Sequence, residues 1–215
     1  MTEQKSQEKV TRRGYLKYVG GVVAAAVVAG AGYWIYEATK PPPTIPSQPI
    51  IVGVVMNLTG PWASIDEPAW KGIQLAADQI NAQGGLLGRP VKAICVDTKA
   101  DEGETAAATH RLIEVDKAVV LLGYCDTHWV LTSAPIAKEA GIPFITPGAT
   151  LPLIPKRTGA FLACFGDNVQ AAAMAERAYT DLGLSKAVLW IDDACDYCVA
   201  VTKYFKDAFE HLGAK

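Results

Sequence analysis

The 215-residue chain lacks several things, and each absence removes a class of function. Formal net charge is only −2. The first 37 residues hold five basic and three acidic side chains, and the remaining 178 hold 15 and 19. The body therefore has no basic stripe, which argues against a nucleic-acid partner. There are three histidines, His110, His128 and His211, scattered without companions of metal-ligand spacing, so neither a metal site nor a cofactor is expected. No proline follows Pro155 and only 17 residues follow Cys198. No cysteine lies near the apolar N-terminal run, which excludes a lipoprotein anchor there.

Five cysteines are present, Cys95, Cys125, Cys164, Cys195 and Cys198, and an odd count leaves at least one unpaired within the chain. Cys195 and Cys198 form a C-x-x-C between an apolar run at 187–191 and an amphipathic stretch. That layout is one a thioredoxin-like thiol-disulfide oxidoreductase would use. The short remainder and the missing later proline count against it. Zinc would require two further ligands beyond this pair.

Residues 1–37 read as an address. Thr11-Arg12-Arg13-Gly14-Tyr15-Leu16-Lys17 precedes an uncharged run over 18–36. The pattern resembles a twin-arginine export signal. Ala29-Gly30-Ala31 offers a cleavage site, whereas the length of the run and its Tyr33-Trp34-Ile35-Tyr36 end favour a retained membrane anchor. Residues 38–49 form a linker in which 40–49 contain five prolines, an extended spacer. The body is thus expected on the outer face of the cytoplasmic membrane, anchored or periplasmic, in an oxidising compartment.

The body alternates strand and helix. Strands are predicted at 50–56, 91–96, 118–122 and 143–145, and helices at 67–82, 104–116 and 128–140, with Pro135 starting a turn or a kink. Gly84-Gly85 stops the first helix. This is the pattern of an α/β fold with a doubly wound parallel sheet. A second set starts with a strand at 161–165 and a helix at 169–182, N-capped by Asn168 and closed by Gly183. A strand at 187–191 and a helix at 197–212 follow. Two strands and two helices cannot close such a lobe, so the expectation is an incomplete second lobe over 159–215. A truncated chain without stable function is the matching alternative.

Four stretches in order carry a specific resemblance: VVMNLTGPWA (54–63), INAQGGLLGRPVK (80–92), AGIPFITPGATLP (140–152) and AVLWIDDACDYC (187–198). They resemble the substrate-binding proteins of branched-chain amino-acid type ABC transporters, which have the type 1 periplasmic binding fold. The resemblance implies two lobes, with 50–158 as the first, and a small ligand, an amino acid, amide or urea-like solute, held between them. It implies an ABC permease as membrane partner and no enzymatic chemistry.

The resemblance also implies a site. Ligands of open α/β sheets sit at the carboxyl ends of strands. Thr127 falls at the family's Ser/Thr position before a helix, where a hydroxyl and free amides hold a carboxylate. Thr150 becomes a second hydroxyl contact, and Gly148 and Ala149 backbone contacts. Trp62 and Ile65, after the first strand, would wall the apolar part of the ligand. By residue type alone, Thr127 reads as a helix cap and Thr150 as a turn cap. Asp126 departs from the family, because its carboxylate would repel a ligand carboxylate unless it turns away or caps the helix. Phe165 stands where many members have arginine and receives no role. Tyr197 falls in the family's Asp-Tyr-Gly turn as a cleft residue. Cys198 replaces the glycine of that turn, and a local disulfide to Cys195 is the expectation.

Overall fold

The computed structural model describes residues 30–34 and 48–214. The signal or anchor expected over 1–37, apart from the exposed helical residues 30–34, lies outside the described residues, as does the linker before residue 48. Among the described residues no helix is long and apolar enough to cross a membrane. The chain divides into two units, Met1–Ile45 and Pro46–Lys215, and the second holds the fold described below.

Strand β1 (Ile50–Met56) is apolar throughout and becomes fully buried over its second half, as a central parallel strand must be. It pairs in parallel with β2 (Val91–Asp97) on one side and β3 (Val120–Gly123) on the other. β4 (Phe144–Thr146) and β5 (Phe161–Leu162) extend the sheet to the order β2-β1-β3-β4-β5. The chain leaves β1 to one side and returns on the other, so a crevice opens between the carboxyl ends of β1 and β3. Helices α1 (Ala63–Ala82), α2 (Glu102–Glu114) and α3 (Thr127–Glu139) are the crossovers. Leu112, Val130, Ala134 and Ala137 of α2 and α3 pack on Leu121 and Phe144 of the sheet. A short α4 (Ile154–Thr158) leads into β5.

The structure departs from sequence expectation in identifiable places. α1 starts four residues earlier than predicted, because Asp66 in its first turn is drawn into tertiary hydrogen bonds. α3 runs through Pro135 without ending. The strand expected over 161–165 is two residues long and belongs to the same sheet as β4. The next helix, α5 (Asp167–Glu176), is preceded by Gly166 as N-cap, not Asn168. Its Asp167 N–H donates to the Thr150 carbonyl at 2.9 Å, which fixes the helix start nearer β4. α5 gives way to a π-helical turn (Arg177–Asp181) instead of continuing to 182.

The largest departure is at 187–191, which forms no strand. Val188 and Trp190 are more than nine-tenths exposed. An apolar run becomes a strand only when another backbone meets its N–H and C=O groups, and no described segment does so. Helix α6 (Asp196–His211) follows. It packs on α5 around Ala175, Phe209 and Ala214, a cluster separate from the main core.

Asp66 is only 1% exposed, and its two oxygens accept from the Asn57 N–H at 2.8 Å and the Cys125 N–H at 2.9 Å. Replacing Asp66 with Ala strands one buried and one part-buried donor, at up to about 3 and about 2 kcal/mol. The expected loss is about 2–5 kcal/mol in urea-unfolding free energy. Asp97 offers a pH test. Burial alone would raise it, but hydrogen bonds from the Thr59 hydroxyl and the Lys99, Leu58 and Thr59 N–H groups outweigh this and hold it below the ordinary 3.8. A depressed carboxylate stabilises the fold above its unfolded value and loses that contribution as pH falls. Asp97→Asn is expected to flatten the fall of unfolding free energy between roughly pH 5 and 2.

Candidate functional site

The carboxyl edge of the sheet is knitted by side chains that bond to neighbouring loops. Asn57, just after β1, accepts through Oδ1 from the Thr98 hydroxyl at 2.7 Å and the Ala100 N–H at 2.8 Å. Tyr124, just after β3, is fully buried with a positive φ of 52°. Its hydroxyl donates to Thr98 Oγ1 at 3.0 Å, and its carbonyl accepts from the Thr146 hydroxyl at 2.7 Å. A residue with a side chain occupies this backbone region only where surrounding bonds hold it. The loops after β1, β2, β3 and β4 are therefore fixed to one another before any ligand is considered.

A cleft of about 280 Å³ opens above this platform. Trp62 and Ile65 from the start of α1, Thr127 from α3, Gly148 and Thr150 from the loop after β4, and Tyr197 from α6 all border it. Six of the seven residues expected from sequence thus meet. Ala149 does not border it: it is buried, its N–H donates to Thr146 Oγ1 at 2.9 Å, and its carbonyl faces the Cys164 thiol at 3.3 Å. The expected backbone contact at Ala149 is already spent inside the loop. Gly148 is small of necessity, since a Cβ there would stand 2.8 Å from the Cys125 Cβ.

Thr127 is not the cap of its helix. Asp126 is, accepting from the His128 N–H at 3.0 Å. This answers the question its charge raises: the carboxylate is bound to the helix start, while the residue still borders the cleft. Burial pushes the Asp126 carboxyl above its usual range, against the lowering effect of the His128 N–H. Thr127 is 1% exposed and its hydroxyl has no partner among the described residues. A buried hydroxyl without a partner costs free energy, and a ligand atom would recover it.

Sequence reasoning missed Cys125, Gln170 and the placement of Phe165, all at the cleft. Cys125 and Gln170 carry a positional signal only, one following β3 and the other lying in the first turn of α5. Gln170 donates from Nε2 to Asp167 Oδ1 at 3.1 Å and to the Tyr197 hydroxyl at 3.3 Å. An ionised carboxylate only accepts, so the amide nitrogen must face Asp167. Asp167 is fully buried, and burial raises its carboxyl despite the Thr150 hydroxyl and Gln170. The Cys125 thiol is pushed up to about 12 by burial first and the Asp66 carboxylate second, so it is no nucleophile at neutral pH.

A second compartment of about 310 Å³ shares Trp62 and Asp126 with the first. His128, Trp129, Asp192 and Asp196 border it. Cys195 and Cys198 form a disulfide at its edge, with Cα atoms 5.2 Å apart. Cys195 also caps α6, its sulfur accepting from the Cys198 N–H. Because 187–191 is no strand, the pair does not stand at a strand-to-helix junction. Among the described residues no cluster of His, Cys, Asp or Glu is arranged to hold a metal ion.

Comparison with known proteins places this geometry in context. The sequence profile of the family described as periplasmic binding protein matches residues 49–215. An amino acid binding protein of Pseudomonas aeruginosa is 30% identical over 168 residues, covering 77% of this chain and 45% of that protein. A Leu/Ile/Val-binding protein of Rhizobium johnstonii is 27% identical over 73% of this chain and 43% of its own. A leucine-binding protein from Thermotoga maritima superposes with a TM-score of 0.70 at 32% identity, covering 77% of this chain and 47% of that one. A branched-chain amino acid transporter substrate-binding protein from Streptococcus pneumoniae, in complex with isoleucine, gives 0.72 at 29%, covering 76% and 47%. The chain spans about half the length of the relatives it matches.

The unbonded cysteines are Cys95, Cys125 and Cys164. A thiol titration of the unfolded, unreduced protein is expected to count three groups, and five after reduction. A count of five before reduction would remove the Cys195–Cys198 bond.

Proposed function

The chain belongs to the periplasmic binding protein family, and we propose that it serves as the extracytoplasmic solute-binding component of an ABC transporter. In this reading residues 1–37 export or anchor the protein and 38–49 tether it. Residues 50–158 together with β5 supply the first lobe, and the residues after β5 open the second. The partner is a permease in the same membrane. The protein performs no covalent chemistry.

The observation that carries the reading is the cleft itself. Thr127, Gly148, Thr150, Trp62, Ile65 and Tyr197 come from four separate segments and border one space of amino-acid size. The buried, unpartnered Thr127 hydroxyl lies at its edge. The ligand is a small amino acid or a related polar solute, its apolar part against Trp62 and Ile65. Tyr197 comes from the side of α6, so lobe closure over the ligand would move it relative to Thr127 and Thr150. The Leu/Ile/Val-binding and leucine-binding relatives support an amino-acid class.

Thermal-shift screening against amino acids, amides and urea tests the function. A rise in melting temperature with at least one is expected, and a flat response to all would sink the reading. Thr127→Val tests the site. It keeps shape and removes only the hydroxyl, which no described residue uses. Affinity for the best ligand of that screen is expected to fall about tenfold by calorimetry, while unfolding free energy stays within about 1 kcal/mol.

A further inference from the structure

The two compartments behind Trp62 have an unusual charge. Among their bordering residues there is no lysine or arginine. Asp126, Asp192 and Asp196 all border the second compartment. His128 is the one group there that can become cationic. It meets Glu102 through Nε2 at 3.1 Å and Asp196 through Nδ1 at 3.6 Å. A protonated His128 still leaves the surroundings net negative. Among the described residues the Asp192 carboxylate accepts only from the Ala194 N–H of its own turn, at 3.0 Å, and keeps most of its acceptor capacity.

Two aromatic walls accompany these carboxylates. Trp62 and Trp129 both border the compartment, and indole faces attract cations more strongly than other rings. Carboxylates with indoles around one half-open space form the chemistry of an organic-cation site. One further atom points to a ligand: Thr127 Oγ1, in a residue that borders the first compartment and is 1% exposed, is buried without a partner among the described residues.

We propose that the solute is a cationic amino acid or its amide, with its oxygen-bearing end near Thr127 and its positive end between Trp62, Asp192 and Asp196. This rests on the solute-binding reading and names its substrate class. An aliphatic amino acid leaves the carboxylates of the second compartment without a counter-charge. An acidic one adds repulsion.

Calorimetric titration of the purified protein with L-lysine, L-arginine, L-leucine and L-glutamate tests this, together with Asp192→Asn and Asp196→Asn. Both aspartates lie toward the surface, and thermal unfolding checks that each variant is folded. At least one basic amino acid is expected to bind tenfold or more tighter than leucine, with glutamate weakest. Each substitution is expected to weaken the basic ligand at least fivefold and leave leucine within about twofold. Leucine binding as tightly as lysine and arginine overturns this inference and leaves the solute-binding function standing. A basic preference unmoved by both substitutions overturns the placement of the cation. If none of the four binds, the amino-acid reading of the function falls, and this inference with it.

Discussion

The cleft depends on one buried carboxylate. Asp66 lies in the first turn of α1 and joins the backbone after β1 to the backbone after β3 with one oxygen each. Those are the two loops at which the sheet order reverses. Without that bridge, nothing obliges the start of α1 to lie across the crevice, and Trp62 and Ile65 would lose their place. The arrangement is costly, since burial raises the Asp66 carboxyl above its usual range even though two N–H groups favour the ionised form. Its buried place makes sense as geometry, because it joins two loops by their backbone N–H groups.

The same logic spreads along the carboxyl edge. Asn57, Thr98, Tyr124 and Thr146 are polar, buried and mutually bonded where a larger apolar core would normally sit. Each bond joins one loop to the next. The result is a rigid floor on which Thr127 keeps its hydroxyl free, while Asp126 is occupied with the helix start. A carboxylate beside the anion-holding end of a helix alters what that end can accept. Together with Asp192 and Asp196 it places several carboxylates, and no lysine or arginine, around the two compartments.

The cysteine pair takes a different meaning in this setting. Cys195 is bonded to Cys198 and at the same time caps α6, so it stiffens the turn that presents Asp192, Asp196 and Tyr197. The other thiols are held protonated by burial; Cys95 and Cys125 are both pushed up to about 12. None of these three thiols has the setting of a reactive thiolate, and the remaining two cysteines are joined to each other.

The sequence by itself determined the alternation of β1 to β4 with α1 to α3, because apolar periodicity is a local property that burial merely completes. The family resemblance carried by four ordered motifs singled out Trp62, Ile65, Thr127, Gly148, Thr150 and Tyr197, whereas residue type alone made Thr127 and Thr150 no more than caps. Four things were decided only by tertiary structure. Gln170 reached the cleft because Asp167 pulled the start of α5 toward Thr150. Ala149 turned inward because Thr146 claimed its N–H. Asp126, and not its neighbour, became the cap. Residues 187–191 have every local mark of a strand and form none. A helix can satisfy its own backbone, whereas a strand must borrow its partners from elsewhere in the chain, and that dependence cannot be read from the residues of the strand alone.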